Sequence, residues 1–279
     1  AFDPVSALTV RVGRTMFEWV LAAELAILLF IVPGISAGSI AGERDRQTLV
    51  PLQVTLVGPV GIFFGKVLAS SGFVLLLIVG AAPVMAVPYL VGGISLGQVL
   101  LSLLTLLIIG FLIAVIGVSC SAVFRRTQTA TLAAYGAVLA LTLGTVLLLG
   151  VLAVIDASRG TDETEPRLAT MYPNPFLAVA DAAGEIGASS DGPFTPIKRL
   201  FLESQVGSNV IIVEEGNFGP GRGGVVAFDE QTGQPVQVDL TTTGVPLWAR
   251  SLLTLTGLAL LSALFGVRRL RAPAKEIRS

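Results

Sequence analysis

The chain has 279 residues, 53% of them hydrophobic and only 13% charged, with a mean hydropathy of +0.82. A soluble domain of this size carries about 25% charged residues, so the composition reads as an integral membrane protein. The formal net charge of −1 is uninformative because the charges are segregated along the chain, and with no His and one Cys it excludes His-based metal sites, Ser-His-Asp and Cys-His catalysis, and an intrachain disulfide.

Residues 1–18 read as an external amphipathic segment. A helix over Val5–Phe17 is expected, with Leu8, Val12 and Met16 at helical spacing and Arg11 and Arg14 off that stripe. It is expected to lie on the outer membrane surface, and Arg14 and Glu18 stand at i,i+4 spacing for a weak pair. The segment has neither a short h-region nor an initiator Met, so one preceding span is expected. The alternative is a five-helix protein with its N-terminus outside.

Residues 19–155 read as the membrane domain, with spans at 19–40, 67–90, 96–124 and 131–155, and a fifth over Leu247–Val267. Each approaches or exceeds the roughly 20 helical residues that cross a ~30 Å hydrocarbon core. In the first span Gly34, Gly38 and Gly42 recur every four residues, a small-residue face that lets another helix approach closely. Pro33 precedes it as a candidate kink. Glu24 reads as a carboxylate reaching the interface or a partner, the alternative being a substrate-contacting or proton-relaying acid.

The first span ends abruptly in Glu43, Arg44, Asp45 and Arg46, followed by Gln47, Thr48 and Leu49. Thr48 can cap a short cytosolic helix over 47–57, with Pro51 tolerable only in its first turn, and the amphipathic stretch reads on to Phe64. Gly58-Pro59 marks a turn, and Gly65-Lys66 the opening of the second span, with Lys66 as an anchor. Val91 to Ser95 is a tight external turn and Arg125 to Gln128 a tight internal one. Cys120 reads as a small buried hydrophobe.

Residues 156–246 form the sizeable extramembrane element, expected to combine helix and strand. A short helix is expected over Phe176–Ala183, after Met171 to Pro175. Asn209–Leu240 alternates apolar and polar residues between Gly-rich turns, which reads as a hairpin or three-stranded sheet. The GPGRGG run suggests a phosphate cradle, but no helix follows it, so it reads as a hairpin loop. Residues 247–279 hold the last span and a basic tail.

Ten Lys and Arg residues, from Arg44 to Arg278, fall on one side in the short segments, against Arg11 and Arg14 on the other. The positive-inside rule makes the rich side cytoplasmic. The loop, with 12 acidic and 5 basic residues over 157–246, then falls outside and the C-terminus inside.

Taken together, these features resemble the permease subunits of type-2 ABC exporters. That family carries a motif like AGxIAGERERxTL at the end of its second membrane helix, then a cytosolic coupling helix, a Thr-Pro-like turn and a Gly-Lys opening the third helix. This chain has AGSIAGERDRQTL at Ala37–Leu49, then Val54-Thr55, Gly58-Pro59 and Gly65-Lys66, and later a basic turn, an external NPF and a last span ending RRLR. It departs from the pattern at Val50, Pro51 and Gln53, and has Thr55-Leu56 where the family has Thr-Pro.

The resemblance implies an all-α polytopic membrane protein of six helices in the full chain, in a cell (plasma or inner) membrane, acting in export. The low count of charges within the spans argues for a hydrophobic or amphipathic cargo such as a drug, lipid or lipopeptide. The resemblance also implies that Glu43, Arg44, Asp45, Arg46, Gln47, Thr48, Leu49, Leu52 and Gln53 couple to a separate ATP-binding subunit. That partner would hold ATP and Mg, since this chain has no nucleotide-binding motif: Gly61 to Val67 has the wrong spacing and no Ser or Thr after Lys66. No cofactor, metal or nucleic acid is expected on this chain. A second permease, identical or a sibling, and the lipid bilayer are the other expected partners, with an external protein as a further candidate. The competing readings are a non-transporting subunit that passes ATP-driven motion to such a partner and, ranked last, a membrane-embedded enzyme.

Overall fold

A computed structural model describes residues 4–46, 58–159, 169–184, 192–206, 210–213, 226–229, 235–237 and 246–270. In chain order the helices are α1 (Pro4–Asp45), α2 (Pro59–Val91), α3 (Leu96–Val123), α4 (Thr127–Leu139), a π-helical turn (Ala140–Gly144), α5 (Thr145–Arg159), α6 (Pro175–Ala182), α7 (Thr195–Val206) and α8 (Leu247–Leu270). Three short strands lie between α7 and α8: β1 (Val210–Val213), β2 (Val226–Asp229) and β3 (Pro235–Gln237). They pair antiparallel in the order β1-β2-β3, with Val210 opposite Asp229 and Val226 opposite Gln237.

Among the described residues, five helices are long and apolar enough to cross a membrane: Leu8–Asp45, Pro59–Val91, Leu96–Val123, Thr127–Ile155 and Leu247–Leu270. Their outward side chains stay apolar, with Leu68, Leu90, Leu132 and Leu253 all largely exposed. Hydrocarbon tolerates such a surface where water does not.

Two boundaries differ from the sequence expectation. The segment 1–18 is not a separate helix, because α1 runs unbroken from Pro4 through Trp19 to Asp45. No Pro falls between Pro4 and Pro33, and the single Gly13 lies inside the helix without ending it, so the helical hydrogen bonding continues through residue 18. The Leu8, Val12 and Met16 stripe is exposed, while Phe17 and Glu18 on the other side of the helix are buried. The amphipathic stretch expected to run to Phe64, with the second span starting at Gly65-Lys66, divides instead at Gly58. Pro59 opens α2, where its missing N–H costs nothing in a first turn, and Phe63 is already core at 1% exposure. The helix expected over 47–57 lies outside the described residues.

The chain divides into two compact units, Ala1–Leu25 with Gly80–Leu106 and Leu141–Thr254, and Ala26–Val79 with Leu107–Ala140 and Leu255–Ser279.

In the first unit, the turn between α2 and α3 uses Gly92 and Gly93 at positive φ (105° and 89°), a conformation that favours glycine. Gly93 lies against the backbone of Val10 in α1. Asn174 caps α6, its Oδ1 accepting from the Phe176 N–H at 2.9 Å. Its amide donates to the Thr142 carbonyl (3.0 Å) and to Thr145 Oγ1 (2.8 Å), which ties α6 to the π-helical turn. Asp181 near the end of α6 accepts the Trp248 N–H at 2.7 Å, fixing the start of α8. Burial raises the Asp181 carboxyl above its ordinary value, while the N–H groups of Trp248 and Leu247 pull it back. Glu18 of α1 pairs with Lys198 of α7 at 2.8 Å, with side-chain exposures of 0% and 6%.

In the second unit, α1, α2, α3 and α8 meet through small residues. Gly110 of α3 faces Val74 and Leu28, and Gly117 faces Ser36 closely enough that a Cβ would collide in both places. Gly266 of α8 lies on Ser119 and Phe63, and Ser262 donates to Ser119 Oγ at 3.3 Å. Lipid competes for apolar surface, so helix association in a membrane rests on this kind of close fit.

Candidate functional site: the charged end of α1

The end of α1 lies beside an open cleft of ≈ 660 Å³ lined by Gly38, Ser39, Gly42, Glu43, Asp45, Arg46 and Thr127. Three of the four charges that end the helix are engaged by other helices of the same unit. Glu43 forms an ion pair with Lys66 of α2, both half-exposed. The Arg44 guanidinium donates to the Ala122 carbonyl (2.9 Å) and the Phe124 carbonyl (3.3 Å). These are the open carbonyls at the C-terminus of α3, where a cation is favoured by the helix dipole.

Asp45 Oδ2 accepts the Thr127 N–H at 3.1 Å and the Thr127 hydroxyl at 2.5 Å. The N-cap of α4 is Arg126, which makes no side-chain cap, so the cap is supplied from α1. A carboxylate at a helix N-terminus satisfies an orphan donor and meets the positive end of the dipole. One turn back, the Ser121 hydroxyl of α3 accepts the N–H groups of Ile40 (2.9 Å) and Ala41 (2.8 Å). Arg46 is exposed, with no side-chain hydrogen bond or ion pair among the described residues.

Of the expected coupling residues, the structure therefore brings Glu43, Arg44 and Asp45 together as ties to α2, α3 and α4. Arg46 is exposed and lines the cleft beside them without such a tie among the described residues. Gln47, Thr48, Leu49, Leu52 and Gln53 lie outside the described residues. The expected packing glycines all face α4: a Cβ at Gly34 would meet the Tyr135 hydroxyl, and one at Gly38 or Gly42 would lie 3.8 or 3.9 Å from Thr127. Tyr135 donates to the Phe30 carbonyl at 2.8 Å, one turn before Pro33, and its ring lies 5.9 Å from that of Phe30.

Sequence reasoning did not single out Ser121, Thr127 or the Gly110–Gly117 pair. The two glycines stand seven apart, so they share one helix face, a signal present in the sequence. Ser121 and Thr127 carry no local signal, because their partners are about eighty residues away. No protein-family model, curated protein or solved structure matches the chain.

Proposed function

We propose that this chain is the permease subunit of an ATP-driven exporter, moving a hydrophobic or amphipathic substrate out of the cell and powered by a separate ATP-binding subunit that holds ATP and Mg. It works as a homodimer or beside a sibling permease in the cell membrane, with 156–246 outside and the C-terminal tail in the cytoplasm. The observation that carries the reading is the triple tie at Glu43, Arg44 and Asp45. Any displacement of the segment after Arg46 is handed at once to α2, α3 and α4, because each has one end fastened to the last turn of α1. A helix end so fastened is a suitable receiver of force from a soluble partner. The scarcity of charge within the spans favours an apolar or amphipathic cargo over ions.

The Glu18–Lys198 pair favours a second reading, in which the same motion works an external protein through the loop and nothing crosses. It fastens α1 to α7 within that loop.

The test is purification of the tagged chain from its native membrane, followed by Arg46→Glu. An ATP-binding subunit is expected to copurify, with an ATPase rate that rises with hydrophobic compounds. Arg46 is tied to no other helix among the described residues, so its reversal should leave insertion and thermal stability unchanged while abolishing that rise. Absence of an ATP-binding subunit overturns both readings, and an ATPase response to an external protein alone selects the second.

A further inference from the structure

Four buried side chains of the first unit have no hydrogen-bond partner for any of their polar side-chain atoms. Glu24 of α1 was expected to reach the interface or a partner, but it is only 6% exposed and both its carboxylate oxygens are buried without a hydrogen-bond partner. The hydroxyls of Ser102 and Thr105 on α3 and Ser251 on α8 are likewise buried and unpartnered, at 0%, 1% and 0% exposure.

The helices bring these groups to neighbouring depths. Gln98 of α3 lies against Gly184, and Trp248 of α8 bonds to Asp181, so both helices meet the last turn of α6 and its C-terminal end. Ser102 and Ser251 then sit about 6 and 5 Å further along their own helices. Gly13 of α1 lies against Gly92, in the turn that feeds α3. From there α1 reaches Glu24 in about 16 Å, and α3 reaches Thr105 about 14 Å beyond Leu96.

A carboxylate buried without a partner carries a desolvation penalty of several kcal/mol, which is relieved by protonation, by a cation or by a donor. Lys198 of the unit pairs with Glu18, and Arg250 donates through Nη1 to the Tyr172 hydroxyl at 3.2 Å with its guanidinium 5.9 Å from the Tyr172 ring, while its Nη2 is buried without a hydrogen-bond partner. A metal ion is poorly served, since no group of three or more His, Cys, Asp or Glu occurs among the described residues. A primary ammonium carries three N–H donors, which match a carboxylate and hydroxyl oxygens acting as acceptors. We propose that Glu24, with Ser102, Thr105 and Ser251, binds the protonated amine of a ligand whose remainder is apolar. The site deepens the export reading by naming the chemistry of the cargo, and it rests on that reading only for the ligand's fate. Binding itself is measurable on this chain alone.

The test uses the full chain in lipid nanodiscs, titrated with monodansylcadaverine and with its N-acetyl derivative, each corrected for empty discs. The wild type should bind the free amine saturably and at least about tenfold more tightly than the uncharged derivative, the loss expected when one charge-assisted hydrogen bond is removed. Glu24→Gln should erase that preference while leaving the weak binding of the N-acetyl probe unchanged, and Ser251→Ala should reduce it in part. Equal affinity of the wild type for the two probes overturns the proposal without needing any variant to fold. A preference that survives in Glu24→Gln overturns it as well. Either failure leaves the coupling test untouched, because that test reads ATPase activity through Arg46.

Discussion

Glu18 and Lys198 make a buried ion pair at 2.8 Å, and the Glu18 carboxylate crowds Gly192 so closely that no Cβ fits there. A pair of this kind is weak evidence for net stability, yet removing one member is costly because the other stays buried. Lys198→Ala should therefore lower stability by about 3–5 kcal/mol, measured by unfolding of the purified chain. The double variant Glu18→Gln, Lys198→Met should recover most of that loss, and a double variant no better than the single would refute this account. Little of this was legible in the sequence. Spacing offers Glu18 a neighbour one turn away in Arg14, whereas the Lys198 contact spans 180 residues, and no local rule reaches that far.

At the scale of elements, the glycines divide by what they face. Gly110 and Gly117 stand where a Cβ would strike Val74 and Ser36, while a Cβ at Gly38 would meet only Thr127, at the ordinary distance of 3.8 Å. Gly117→Ala should destabilise by about 1–3 kcal/mol through overpacking. Gly38→Ala should be neutral or stabilising by up to about 1 kcal/mol, because alanine is the better helix former. Thermal unfolding of the two variants side by side decides the matter, and equal shifts would count against it. Within the GxxxG-like pattern of α1, Gly38 and Gly42 thus lie on a looser contact, whereas Gly34 is held close by the Tyr135 hydroxyl. The tighter seam carries only two glycines separated by a heptad, a pattern easily lost among the Leu and Ile residues of a span.

For the whole molecule, the five apolar spans were the most legible feature, because backbone polar groups in hydrocarbon must be satisfied within long helices. Their ends were less so. Pro59 starts α2 earlier than the charge pattern suggests, and α1 continues back through the segment read as lying on the surface. The hinge charges read as a stop signal or a docking surface, and their partners on three other helices emerge only in three dimensions. Orientation can be tested with the single native thiol removed. In a Cys120→Ser background, Arg46→Cys should react with a membrane-impermeant maleimide only after the cells are opened, and Ser158→Cys in intact cells. The reverse pattern would invert the topology.

The hinge ties also fix an order of events during synthesis. Glu43 waits 23 residues for Lys66, Arg44 waits 78 for the Ala122 carbonyl, and Asp45 waits 82 for Thr127. At about 5–20 residues per second, the last of these partners is translated on the order of 4–16 s after its mate. Glu43 can close its pair early, whereas Arg44 and Asp45 stay without these partners for most of that interval, and charge left bare at the end of an apolar helix resists being drawn into hydrocarbon. The same groups thus serve first as a brake on insertion and later as a clasp, completed only once the fourth span has begun to form.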